Sequence, residues 1–305
     1  MEPGVDVASR RAAARDRCEA LRAQREADGR LDEGLVRARG DAHRDLAVVA
    51  LRADGIEAAR PAVLDAVDWR LRLVDRLRAR DVSDENWAGV PDRGWAGVWD
   101  RAASAGTDDR PDGSPVPLEE ALWLACTLAD PTVVRPVARE VLAAAPDEAW
   151  SAPARVRCHR ARYAALVASP DAAAVTNATP PVPGTAGDWS ASGGRRRRRT
   201  SVDAAARAAR ESLAAWARTA PLDGTTASRQ LLLGLDGLVD RDGDAVAEAV
   251  RRRCFDHARG LDDPPATADL VCLPAAALVG IARLVGLSVA LDAPAAGIRT
   301  VLPEA

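Results

Sequence analysis

The chain contains no lysine; all 42 basic residues among its 305 are arginine. Phenylalanine, tyrosine and methionine occur once each, and histidine three times. Alanine is abundant, so the pattern matches codon bias in a GC-rich bacterial genome, and the preference for arginine is not read as phosphate recognition. A formal net charge of −3 argues against general nucleic-acid binding, which uses a basic face. The N-terminus, "MEPGVDVASRRAAARDRC", lacks the apolar stretch of a signal peptide. The five cysteines are odd in number and widely scattered, so they form no disulfide framework, and a reducing cytoplasm is the expected compartment. The longest apolar run, "LVCLPAAALVGIA" at 270–282, ends at Arg283 and is too short to span a bilayer; a buried core helix is expected there.

Strand patterning is nearly absent too, with "LSVALDA" at 287–293 as its single candidate. The apolar residues recur instead at three and four. Val7, Ala12, Cys18, Leu21 and Ala23 mark a well-solvated first helix. Leu35, Ala38, Ala42, Leu46 and Val49 mark a second, and Val63, Ala66, Leu71, Val74 and Leu77 a third, with Pro61 placed to open it. Further helices are predicted from "PLEEALWLACTLAD", "PTVVRPVAREVLAAAP" and "DEAWSAPARVRCHRARYAALVAS", with Pro117 and Pro131 in first turns and Asp130 capping. Four more are predicted at roughly 202–219, 226–240, 244–259 and 266–285. The fold class is all-α: a multi-helix bundle or irregular helical array of one or two lobes, with at most one short C-terminal extended segment. The predicted organisation is an N-terminal helical region over 1–168, a Pro/Gly/Ser/Arg-rich linker or loop over 169–201, and a C-terminal helical region over 202–305.

Several short patterns resemble sites, and each has a plainer reading. Asp240, Asp242 and Asp244 alternate like calcium ligands, but a calcium loop counted from Asp240 needs glycine where Ala245 stands and glutamate where Arg251 stands. A helix joint with Asp244 as cap explains the same residues. Cys254 and His257 share a helix face with Val246 and Val250, so they read as core; zinc would need two more ligands, and Cys158 and His159 diverge on their own helix. Asp108, Asp109 and Asp112 have the spacing of a magnesium-binding isoprenoid-synthase motif, but lie in a Gly/Pro turn of a chain with few aromatics. The five arginines Arg195 to Arg199 lack interleaved aromatics and sit in the linker, so a solvated tether is expected. No nucleophile elbow or phosphate loop is present, and neither metal nor cofactor is expected.

The stretch 226–303 resembles the immunity-49 family of bacterial polymorphic-toxin immunity proteins. The resemblance is carried by the leucine-rich "RQLLLGL", the turn at Arg241 and Asp242, and the helix reaching His257. It continues through Pro274 with the apolar Ala275 to Leu278, and ends on Gly286 and Val289. A closing Tyr-Leu-Pro, common in that family, has no tyrosine here. The resemblance implies a cytoplasmic, non-catalytic helical protein that binds a cognate toxin and occludes its active surface. Trp87, Trp95 and Trp99 are the candidate interface anchors. Two alternatives come from other classes: an all-α enzyme using Asp108, Asp109 and Asp112 with magnesium, and a helical adaptor whose arginine tract binds an acidic partner.

Overall fold

The computed structural model describes residues 6–28, 33–78, 115–144, 152–170, 211, 222–259 and 266–291. Among these residues there are eight α-helices, one 3₁₀ turn and no strand, so the described part of the chain is all-α as its periodicity predicts.

Helix α1 spans Val7–Asp28 and lies on α2. Its inward stripe is Val7, Ala14, Cys18 and Leu21, at helical spacing, while the expected Ala12 and Ala23 are exposed. Those two alanines stand about 160° from Ala14 and Leu21 at 100° per residue, which puts them off the stripe. Helix α2 spans Glu33–Arg78 but is broken at Gly55, with φ 79° and ψ 179°, a conformation open in practice to glycine alone. The two expected helices are therefore present, joined without a loop. The second starts at the glycine rather than at Pro61, which lies inside it.

Helix α3, Pro115–Thr127, is the hub: α2, α4, α5 and α8 all pack on it. Its sequence explains this position, because Leu118, Ala121, Leu122, Trp123, Leu124, Ala125 and Cys126 are apolar all round the helix and all buried. Ala129 turns left-handed (φ 50°) after it, and Asp130 then caps α4, Pro131–Ala143. The Asp130 carboxylate accepts from the Thr132 amide at 2.8 Å, and Pro131 opens the helix as expected. Arg60 holds the other carboxylate oxygen. Burial raises the Asp130 pKa, but the hydrogen bonds from Arg60 and Thr132 and the Arg60 charge outweigh it and keep the carboxyl below its ordinary range.

Helix α5, Ala152–Ala168, packs on α3 and α4, and its Arg162 donates to the Leu142 carbonyl (2.9 Å) and to that of Ala144 at the end of α4. Helices α6, Leu222–Asp240, and α7, Gly243–Arg259, form an antiparallel hairpin. A 3₁₀ turn, Thr267–Asp269, precedes α8, Leu273–Leu284. The continuous helix predicted over 266–285 thus begins only at Leu273. Pro274 has no amide hydrogen and belongs in a first turn, so the helix starts there. With 12 residues, α8 is about 18 Å long, well short of the ~30 Å hydrocarbon layer. Its residues Leu273, Ala275, Ala276, Ala277, Leu278, Ile281 and Ala282 are buried.

One core cluster draws residues from α2 to α8, so helices on both sides of the 169–201 segment share it. Tyr163 on α5 also donates to Asp236 on α6 at 2.7 Å. Helix α8 crosses α3 closely. An added Cβ at Gly280 would stand 1.8 Å from the Cys126 carbonyl oxygen, so only glycine lets the backbones meet there. Beyond α8, Gly286 (φ 68°) takes the left-handed turn and the Leu287 amide reaches back to the Ala282 carbonyl at 2.8 Å. The chain then continues over 287–291 with neither helix nor strand pairing. Leu287, Val289 and Leu291 pack on the core, and Ser288 and Ala290 face out.

Candidate functional site

The α6–α7 hairpin is built on small residues. Gly234 lies against Ala249 on α7 and Leu278 on α8, and Gly237 against Ala245 and Val246, so α6 seats closely on both neighbours. Leu231, Leu235 and Leu238 on α6, and Val246, Val250 and Cys254 on α7, fill the core side. The exposed large hydrophobic residues among the described residues all belong to this hairpin: Leu233 (53% exposed), Phe255 (59%), and Val239 (55%), which lies at the end of α6 on the flank of Leu235. At 100° per residue, Leu233 lies nearly opposite Leu238, and Phe255 points well away from Val250 and Cys254, so both stand on the outward side of the hairpin. Arg259 places its guanidinium 5.6 Å from the Phe255 ring centre, and Glu248 bridges Arg251 and Arg252 at 2.6 Å each. Apolar anchors amid charged residues form the pattern of a protein-binding patch.

The joint of the hairpin is the acid-rich stretch singled out in the sequence. Arg241 is left-handed (φ 58°) and its guanidinium donates twice to the Val285 carbonyl, at 3.0 and 3.2 Å. The Asp242 amide closes α6 by reaching the Gly237 carbonyl at 2.8 Å. The Asp242 carboxylate accepts from the Asp244 and Ala245 amides, at 3.1 and 2.9 Å. The cap of α7 is therefore Asp242, two residues before the expected Asp244, because the left-handed Arg241 ends α6 and lets the next helix start at Gly243. Gly243 admits the Ser288 carbonyl, which would lie 2.5 Å from a Cβ. The Arg-Asp pair thus has a structural task, fastening the hairpin to the segment after α8.

Among the described residues no group of three His, Cys, Asp or Glu side chains is arranged to hold a metal. Cys158 and His159 are on α5, Cys254 and His257 on α7. Burial lowers the His159 pKa, assisted by Arg162 and Arg155, and raises the Cys158 thiol to about 11. His257 faces the Asp269 carbonyl at 2.8 Å; a carbonyl only accepts, so Nε2 carries the proton and is not free to bind a metal. His43 stacks on Trp69, whose ring also lies under Arg39 (4.0 Å) and Arg72 (4.9 Å). Trp69 and Trp123 are both core residues. Trp87, Trp95 and Trp99, Asp108, Asp109 and Asp112, and Arg195 to Arg199 all lie outside the described residues.

Sequence reasoning did not single out Leu233 or Phe255. Phe255 was accessible in principle, as it falls off the Val246–Val250–Cys254 face. Leu233 was not, because "LLL" at 231–233 covers too wide an arc to separate inside from outside. Compared with protein-family models, with curated proteins and with solved structures, the chain finds no match.

Proposed function

We propose that the chain is a non-catalytic immunity protein of the bacterial cytoplasm that binds a toxin made by the same cell and covers the toxin's active surface, with the outward side of α6–α7 as the contact. The observation that carries this reading is that Leu233 and Phe255 stand exposed on the outward side of one hairpin, inside the stretch whose sequence resembles the immunity-49 family. Supporting it, Gly234 and Gly237 hold the hairpin close to its neighbours, so the surface is preformed and little ordering entropy opposes binding. Mixed charge around the patch suits a partner matched by complementary charge, which speeds encounter more than it deepens affinity.

The test is growth rescue. The chain is co-expressed in a test bacterium with each toxin encoded beside its gene, and survival and co-purification are scored. Rescue by one toxin with a stable complex is the expected result. Absence of rescue and complex with every neighbour would overturn the proposal. Magnesium-dependent activity lost on Asp108→Ala would then favour the enzyme alternative, and salt-sensitive binding lost on replacing Arg195 to Arg199 the adaptor.

A further inference from the structure

Cys254 and Cys272 are far apart in sequence and are brought together by the packing of α7 against α8. Both side chains have no exposed surface and belong to the same core cluster. The Cys272 thiol donates to the carbonyl of Arg253, the residue before Cys254, at 3.9 Å, which puts the two cysteines at the same place in the α7–α8 contact. Cys272 is also the N-cap residue of α8, at the positive end of the helix, and its side chain makes no cap hydrogen bond.

We propose that Cys254 and Cys272 form a redox-responsive dithiol that closes to an intramolecular disulfide under a peroxide or a low-molecular-weight disulfide, clamping α7 to the start of α8. Cys272 is the attacking residue. Once it gives up the proton it shares with the Arg253 carbonyl, its thiolate is favoured first by the neighbouring Cys254 thiol and then by Arg253, His257 and the Ala275 amide, against burial. The neighbouring Cys272 and burial both favour the thiol form of Cys254. The other three cysteines differ, since burial raises the thiols of Cys18, Cys126 and Cys158 with no second cysteine among the causes.

With hydrogen peroxide, the Cys272 thiolate attacks one oxygen, the O–O bond breaks, and hydroxide leaves to be protonated to water. Cys272 is now a sulfenic acid. Cys254 loses its proton and attacks that sulfur, the S–O bond breaks, and hydroxide again leaves and is protonated. Two thiols and one peroxide become one disulfide and two waters. With a disulfide oxidant, two thiol–disulfide exchanges give the same bond and release two small thiols. Because both sulfurs are buried, the reaction waits on local opening of the half-buried 3₁₀ turn ahead of Cys272.

The inference does not depend on the toxin-binding proposal, and its test needs no partner. The full chain, folded, is titrated with hydrogen peroxide, blocked with iodoacetamide and cleaved after arginine. The expected product joins peptide 254–259 to peptide 260–283, exceeds every other cysteine pairing by at least ~10-fold, and disappears on treatment with dithiothreitol. Alkylation of both Cys254 and Cys272 after the other thiols have been oxidised would overturn the proposal, as would a link formed only in denaturant. In Cys254→Ser the sulfenic acid has no resolving partner, so dimedone should trap it at Cys272; dimedone found only on other cysteines counts against the assignment. The mapping on the unaltered chain stands whether or not the variant folds.

Discussion

Where α2 meets α3 the contact carries charge; where α8 meets α3 it carries almost none. On the α2 side, the Arg70 guanidinium is almost fully buried. Its Nε lies 2.7 Å from a Glu120 oxygen and its Nη2 2.8 Å from Asp41. Arg44 bridges the same Glu120 and Asp41, at 3.5 and 3.8 Å. Next to Glu120 on α3, Glu119 is as buried as Arg70, between Arg160 and Arg157 of α5. On the α8 side the contact is alanine, leucine, isoleucine and the backbone approach at Gly280. An arginine-rich chain without lysine can build the first kind of contact because a planar guanidinium reaches two carboxylates at once. The second kind depends on having no side chain at one position. The difference teaches that tolerance to change should be local: a charged contact can relax toward water at its exposed carboxylates, whereas a backbone crossing cannot relax without parting the helices.

The steepest break of that comparison is at the crossing. Gly280→Ala forces α8 away from Cys126 and should cost roughly 3 kcal/mol or more, measured as a fall in the denaturation midpoint with unchanged slope. Glu120→Ala, which leaves Arg70 to Asp41 alone, should cost less, about 2 kcal/mol, because Glu120 is itself a quarter exposed. A larger loss for Glu120→Ala than for Gly280→Ala would reverse the comparison. Asp242→Ala removes the α7 cap and should cost about 1 kcal/mol, while Asp244→Ala should cost clearly less, which separates the true cap from its neighbour.

The smallest effect is pH-linked. The folded Asp130 carboxyl lies below its ordinary value of 3.8, so it contributes stability that is fully present above that value and is lost as pH falls through the lower folded value. Asp130→Asn keeps the cap hydrogen bond but drops the charge, so near neutral pH it should destabilise by under about 1 kcal/mol. The difference should vanish in an acid titration followed by circular dichroism; one that grows in acid would contradict the sign.

Much of this was legible in the sequence, and for stated reasons. Pro131 with Asp130 announced a helix start because proline and an acceptor side chain suit that turn alone. The all-α class followed from spacings of three and four. What was not legible required tertiary information. The choice of Asp242 over Asp244 was set by a left-handed Arg241, a conformation uncommon for a residue with a Cβ. Gly55 breaks α2 where Pro61 looked the stronger signal. Leu233 faces out of a leucine run, and Cys272 meets Cys254 only because α8 folds back on α7.

The central claim, that the outward side of α6–α7 is a toxin-binding surface, is tested most directly by affinity. The dissociation constant for the toxin that gives rescue would be measured for the unaltered chain and for a Leu233→Ser, Phe255→Ser double variant. Both residues are exposed, so the melting temperature should hold, while loss of two central anchors weakens binding by at least ~30-fold. Unchanged affinity at unchanged stability would contradict the claim and move the contact elsewhere on the chain.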